Sequence, residues 1–187
     1  MYSVYCPLNV VHFKIETFKN NLHKITSYEW KNDEENLLKN AKKVYNNVDD
    51  KTAIKAYKQL MSRNKKLENN KELLIINKNK QNKHNINSKS YIKGKSYFVI
   101  DLNEEQELVY KYATKGYTPL TNSGNIQNKE ICTIDKVIGV YINNNYNIKE
   151  ETNSIVIHYS TTDKGVHIVP ASNDSQIKIE KGDVDDK

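Results

Sequence analysis

All six glycines of the chain fall at Gly94 or later. Glycine is the residue that supplies left-handed backbone at tight turns, so a long stretch without it suits helices and a glycine-punctuated stretch suits strands joined by turns. The order is therefore helices first and sheet second. The fold class it predicts is α+β, with N-terminal helices followed by a small antiparallel sheet and a packed helix.

The helical period is plain in the first half. After Asn32 and Asp33, which can cap, and Glu35, the apolar residues are Leu37, Leu38, Ala41, Val44, Tyr45 and Val48. After Asp49 and Asp50 come Ala53, Ile54, Tyr57, Leu60 and Met61. Both sets keep the i, i+3, i+4, i+7 spacing of a one-sided helix, and an αα-hairpin turning at Val48–Lys51 is expected. Segment 62–83 is rich in Lys and Asn and reads as a linker or arm, interrupted by the apolar run Leu73–Ile76. A further helix is expected over Asn103–Ala113, capped by Asp101 or Asn103, with Glu104, Glu105 and Glu107 well placed against the N-terminal dipole. Expected strands are Tyr97–Ile100, Glu130–Ile134, Val137–Ile142, Ser154–Ser160 and Val166–Ala171. The organisation that follows is a helical arm over 1–70, a second unit over 71–172 and an acidic tail over 173–187.

The formal net charge is +6 and the isoelectric point about 9.0, which favours a polyanionic partner. The two cysteines, Cys6 and Cys132, stand far apart with no CxxC spacing, so neither a disulfide framework nor a zinc site is expected. No window approaches the roughly 20 apolar residues of a membrane span. Met1–Val11 has no basic opening or sustained apolar run and is interrupted by Pro7, so no classical secretion signal is expected.

The stretch that carries chemistry is 154–170. It reads as a hairpin with a loop over Thr161–Lys164. In that register Ser160 faces Gly165, His158 faces His167 and Val156 faces Val169, and opposed residues on one face have Cβ atoms about 4.5–5.5 Å apart. Ile155, Ile157, Tyr159, Val166 and Ile168 take the other face, an apolar one ready to pack on a helix. The strand period thus puts two imidazoles and a hydroxyl opposite the core. RNA can be cut without a metal if its 2′-OH is the nucleophile. A base must then take the hydroxyl proton, an acid must protonate the departing 5′-oxygen, and cations must stabilise the phosphorane. Imidazole, with an ordinary pKa of about 6.5, performs either transfer near neutrality. Lys164 at the hairpin tip and Lys83 can supply charge. Taken singly, each histidine is better explained as a solvated strand residue, while the pair stands evenly between that reading and chemistry, and Ser160 reads also as a polar strand end.

At these residues the sequence resembles the polymorphic toxin type 50 family, over about Lys80–Ala171. The family's Lys-Gln-x-Lys-His opening stands here as Lys80-Gln81-Asn82-Lys83-His84. Its Gln-x-Leu-Val-x-Lys-Tyr helix is Gln106 to Tyr112, and its Asn-Lys-Glu-Ile step is Asn128 to Ile131. Its Ile-Gly is Ile138-Gly139, and its closing motifs are Ile157–Ser160 and Gly165–Pro170. The resemblance implies a barnase–EndoU–colicin–RelE-like fold and a metal-independent endoribonuclease without cofactor. Such a nuclease is usually the C-terminal warhead of a secreted or phage-associated protein, acts in the bacterial cytoplasm and is neutralised by a cognate immunity protein. RNA and that inhibitor are the implied partners, with no membrane role. By position His84, His158, Ser160 and His167 are the implied catalytic set. The substrate-binding set is Lys83, Lys129, Lys164, Tyr159 and Thr161. Lys129 and Glu130 read equally well as a salt-bridging pair at a strand edge. Two departures stand out: Asn85 where the family has an apolar residue, and Ala113-Thr114-Lys115-Gly116 in place of a Gly-x-Gly loop. The alternatives from other classes are a non-catalytic RNA- or protein-binding module, with Tyr91, Tyr97 and Tyr117 as stacking platforms, and a phage head or secretion component built on the first 70 residues.

Overall fold

The computed structural model of the chain describes residues 33–162 and 165–173, so the cap expected of Asn32, Cys6, Lys164 and most of the acidic tail lie outside the described residues. Helix α1 covers 33–44 and helix α2 Asp50–Asn69. Asp49 caps α2 by accepting from the Thr52 amide at 3.0 Å, the use that an Asp directly before a helix commonly has. The buried stripe of α2 is Ala53, Ala56, Leu60 and Leu67, whereas Met61, expected on it, is 52 % exposed. The helix also runs into the segment read as a linker. The lysines that suggested a linker are its solvated face, and the rest of 62–83 is ordered as a 3-10 turn Lys71–Leu74, a short helix α3 Lys78–Gln81 and a second 3-10 turn Asn82–His84.

The strands are β1 Tyr97–Phe98, β2 Lys129–Thr133, β3 Gly139–Asn143, β4 Ile148–Thr152, β5 Ser154–Tyr159 and β6 Val166–Ala171, and helix α4 is Leu102–Tyr112. The fold is α+β as expected, with two antiparallel sheets where one was expected: β1-β3-β4 and β2-β5-β6. The sequence reading missed β4, whose Ile-Lys-Glu-Glu-Thr run lacks an apolar alternation. That strand changes the topology, because the chain leaves the first sheet at Thr152 and enters the second at Ser154. The intervening Asn153 ties the junction by donating to the Ile134 carbonyl at 2.9 Å.

One core gathers Leu67, Leu74, Ile76, Phe98, Leu108, Val109, Ile138, Ile155, Ile157, Val166 and Ile168. A second joins Ala41, Tyr45, Ala53, Ala56 and Leu60 to Tyr117, Leu120 and Ile126. The first helices thus pack directly on the sheet-bearing part. Asp101 caps α4 through the Asn103 and Glu104 amides, as predicted. Glu105, expected to favour the N-terminal dipole as a charged group, is buried, and its carboxyl is pushed up to about 8 by desolvation.

The free edge of β6 is filled by unlike parts. Asn77 donates to the Val166 carbonyl at 2.7 Å and Val166 to the Ile75 carbonyl at 2.9 Å. Gly165 sits at φ +78°, where a Cβ would also run into the Ile75 carbonyl. Two residues on, the Gln81 side-chain amide imitates a strand, accepting from the Ile168 amide at 2.9 Å and donating to its carbonyl at 3.1 Å.

Candidate active site: a column of imidazoles and, across the sheet, a buried carboxylate

The hairpin register is the one predicted. His158 pairs with His167, Val156 with Val169 and Ile157 with Ile168. Ile155, Ile157, Tyr159, Val166 and Ile168 are buried, and the imidazoles stand on the opposite face. The His158 and His167 rings stack with centroids 4.6 Å apart and planes 12° from parallel.

The Gln81 bridge fixes where His84 falls. One turn after the pinned Gln81, the chain places the His84 ring 6.5 Å from that of His167, tilted by 20°. The three rings make a column in the order His84, His167, His158. Nδ1 of His84 lies 2.8 Å from the Ser96 carbonyl. A carbonyl only accepts, so Nδ1 carries the hydrogen and the Nε2 lone pair of the neutral ring is left over. Asn85, the departure beside it, pairs with Phe98 as an isolated bridge and does not disturb this arrangement.

All three imidazoles titrate below the ordinary value. Burial is the largest cause for each. Lys95 and Lys83 add to it at His84, Lys129 and Lys80 at His158, and His158, Lys80 and Lys83 at His167, whose pKa falls to about 4. No carboxylate is among the causes. Lys129 reaches the column because it pairs with His158 across β2 and β5, and Lys83 belongs to the same 3-10 turn as His84. The basin therefore suits an anion that would restore the protons the lysines oppose.

Ser160 is not with the imidazoles. Strand β5 ends at Tyr159, and the Ser160 hydroxyl lies 3.2 Å from that of Thr162. Ser160 and Thr161 line a cleft of about 320 Å³ together with Arg63, Lys66, Leu67, Leu73, Asn128, Tyr159 and Gly165. Period-two alternation does not survive past the last paired residue, which is why the sequence placed this hydroxyl on the histidine face.

Beneath that cleft lies a buried carboxylate. Glu130 is fully buried. It accepts from the Tyr159 hydroxyl at 2.7 Å, the Thr114 amide at 3.2 Å and the Gly116 amide, and it pairs with Arg63 at 3.3 Å. Burial and the neighbouring Glu130 charge hold the Tyr159 phenol protonated, far above its usual range. The departing loop 113–116 is thus shaped around this carboxylate: Thr114 takes a φ of +70°, and a Cβ at Gly116 would strike the Ile131 carbonyl. The partner of Glu130 is Arg63, not Lys129, which points to the other face.

A family model described as bacterial toxin 50 matches residues 76–170, just over half of the chain. The chain belongs to the bacterial toxin 50 family. No curated protein matches it. The matched toxin 50 segment contains the whole imidazole column, Lys80, Lys83, Lys129 and Glu130, whereas Arg63 and Lys66 come from helix α2 before it.

In this toxin the sequence reading missed Arg63, Lys80 and Lys95. A signal for Arg63 was present: Ala53, Ala56, Leu60, Arg63 and Leu67 follow one another at steps of 3 and 4, so a charged residue occupies the buried stripe. Tyr117, a possible stacking platform from sequence, packs on Tyr45 with ring centroids 6.4 Å apart. Among the described residues, no group of three or more His, Cys, Asp or Glu is arranged to hold a metal ion, and no helix is long and apolar enough to cross a membrane.

Proposed function

We propose that this toxin is an endoribonuclease that cuts RNA by attack of the 2′-OH on the adjacent phosphorus. The observation that carries the reading is the column of three imidazoles beside Lys80, Lys83 and Lys129. His84 suits the base, because its Nδ1–H is engaged by the Ser96 carbonyl and its Nε2 lone pair is available. It takes the 2′-OH proton as the 2′-oxygen bonds to phosphorus and the bond to the 5′-oxygen breaks. The stacked His158–His167 pair suits the acid. Two imidazoles at 4.6 Å resist holding two protons, so they titrate as a unit that carries one. That proton goes to the departing 5′-oxygen, leaving a 2′,3′-cyclic phosphate and a 5′-hydroxyl. The lysines stabilise the phosphorane. DNA has no 2′-OH and is not a substrate for this chemistry.

With this activity go a cognate immunity protein, acidic where it meets the lysine basin, and delivery into a bacterial cytoplasm from a secreted or phage-borne parent. The deciding experiment incubates the full chain with end-labelled single-stranded RNA and its deoxy counterpart in EDTA. RNA alone should be cut, leaving 5′-hydroxyl ends, and His158→Ala and His167→Ala should each cut at least a hundredfold more slowly. Intact RNA, or cleavage that EDTA abolishes, would overturn the reading.

A further inference from the structure

The cleft between α2 and the end of β5 has no part in proton transfer, yet its floor is built with more care than a surface groove requires. Arg63 lies within it, its side chain only 12 % exposed. Every guanidinium nitrogen of Arg63 is committed at its edge. Nε donates to the Asn64 side chain at 3.3 Å, Nη1 to the Gln127 carbonyl at 3.5 Å, and Nη2 to Thr118 at 2.7 Å and to Glu130 at 3.3 Å. One face of the plane rests on the Tyr159 ring, 4.8 Å from its centroid. An arginine held this way cannot fork around a phosphate. What it has left to offer is the second face of a flat cation, which stacks on planar π systems. Leu67 and Leu73 give the cleft an apolar wall, and Ser160, Thr161 and Asn128 put hydroxyl and amide groups at its rim. This combination fits a nucleobase: a flat, polarisable ring with hydrogen-bonding edges. The position fits too. Ser160 follows His158 by two residues, just past the end of β5, so the cleft opens at the end of the strand that carries His158, on the opposite face of the sheet from the imidazole column.

We propose that this cleft is a binding site for one unpaired ribonucleotide of the RNA strand, its base stacked on the guanidinium of Arg63. The choice of RNA rests on the endoribonuclease reading above; the choice of a base rests on the cleft. Glu130 acts as the positioning residue, fixing the plane of Arg63 through their ion pair and the Tyr159 ring through its hydroxyl. Helix α2, outside the matched toxin segment, thereby supplies the recognition surface at the end of a strand whose other face carries the reaction centre.

The test titrates the full chain with each of the four ribonucleoside 3′-monophosphates, with ribose 5-phosphate and inorganic phosphate as controls, and follows the methyl resonances of Leu67 and Leu73. A stacked base should shift these methyls by its ring current, and the two controls should not. Arg63→Lys keeps the charge and loses the plane, and should weaken nucleotide binding at least tenfold. Thr161→Glu puts a negative charge at the rim, away from the Glu130 network, and should do the same even if Arg63→Lys fails to fold. Methyls that stay silent at saturating nucleotide, that respond equally to ribose 5-phosphate, or whose response survives Thr161→Glu would overturn the proposal. Cleaved RNA with silent methyls sinks the cleft alone; responding methyls with uncut RNA sink the nuclease and leave the cleft standing.

Discussion

Replacing Glu105 by Gln should stabilise this protein, and by an amount that grows with pH. The carboxyl is 2 % exposed, and its pKa rises from 4.5 to about 8. In the unfolded chain it loses its proton near 4.5 and in the folded chain only near 8, so between those values the unfolded state binds fewer protons. Stability contributed by this group is therefore fully present below about pH 4.5 and is lost as pH rises towards 8. At pH 7 the loss is about 1.36 kcal/mol for each of about 2.5 pH units, or roughly 3 kcal/mol. Glutamine keeps the shape and does not titrate. Urea unfolding of both proteins, followed by far-ultraviolet circular dichroism at pH 5, 6, 7 and 8, gives the difference directly. The imidazoles titrate in both chains and cancel. The variant should gain roughly 3 kcal/mol relative to the parent between pH 5 and 7, with unchanged denaturant slopes. A difference that stays constant from pH 5 to 8 would refute the argument, since it would mean that Glu105 is already ionised in the fold.

The histidines give the opposite sign: their folded values lie below 6.5, so their contribution is present at neutral pH and lost as pH falls from 6.5 towards 4. Because acid and base are both shifted down, the profile of kcat/KM against pH should be bell-shaped with both limbs below 6.5; an optimum at pH 8 would refute the assignment. Arg63→Met should cost roughly 3–5 kcal/mol in urea melts by stranding the buried Glu130 charge, and adding Glu130→Gln should recover part of it. Ile157→Ala, on the core face, should cost roughly 2–5 kcal/mol, while His158→Ala should leave the melting curve almost unmoved and remove activity.

What could be read in advance followed the strength of local periodicity. Strands β5 and β6 alternate Ile-Val-Ile and Val-His-Ile around a glycine-bearing turn, so their pairing and both faces were legible residue by residue. The cap Asp101 was legible because an Asp directly before an apolar helical repeat has one main use there. His84 came only through the resemblance. Its place in the column depends on the Gln81 bridge to β6, a contact across 87 positions that no local pattern encodes. Arg63 and Glu105 were hidden for a related reason. A charged residue on a helix reads as solvated until the partner that buries it is known, and both partners lie on distant strands or helices.

The plugged border of β6 has a bearing on the immunity protein proposed above. Strand addition is a common way for one protein to grasp another, and it demands an open ladder of backbone donors and acceptors. Here Ile75, Asn77 and the Gln81 amide already occupy that ladder on β6, and Tyr117 exchanges both of its hydrogen bonds with Ile131 on β2, the opposite border of the same sheet. At these positions a binder of this sheet is left with side chains to grip: lysines, imidazoles and whatever the cleft presents. Backbone ladders look alike in every protein, whereas side chains differ from one relative to the next. An immunity protein of the proposed kind, forced to recognise side chains, can be private to its own toxin, and a single exchange such as Lys129→Glu should be enough to put the two out of step.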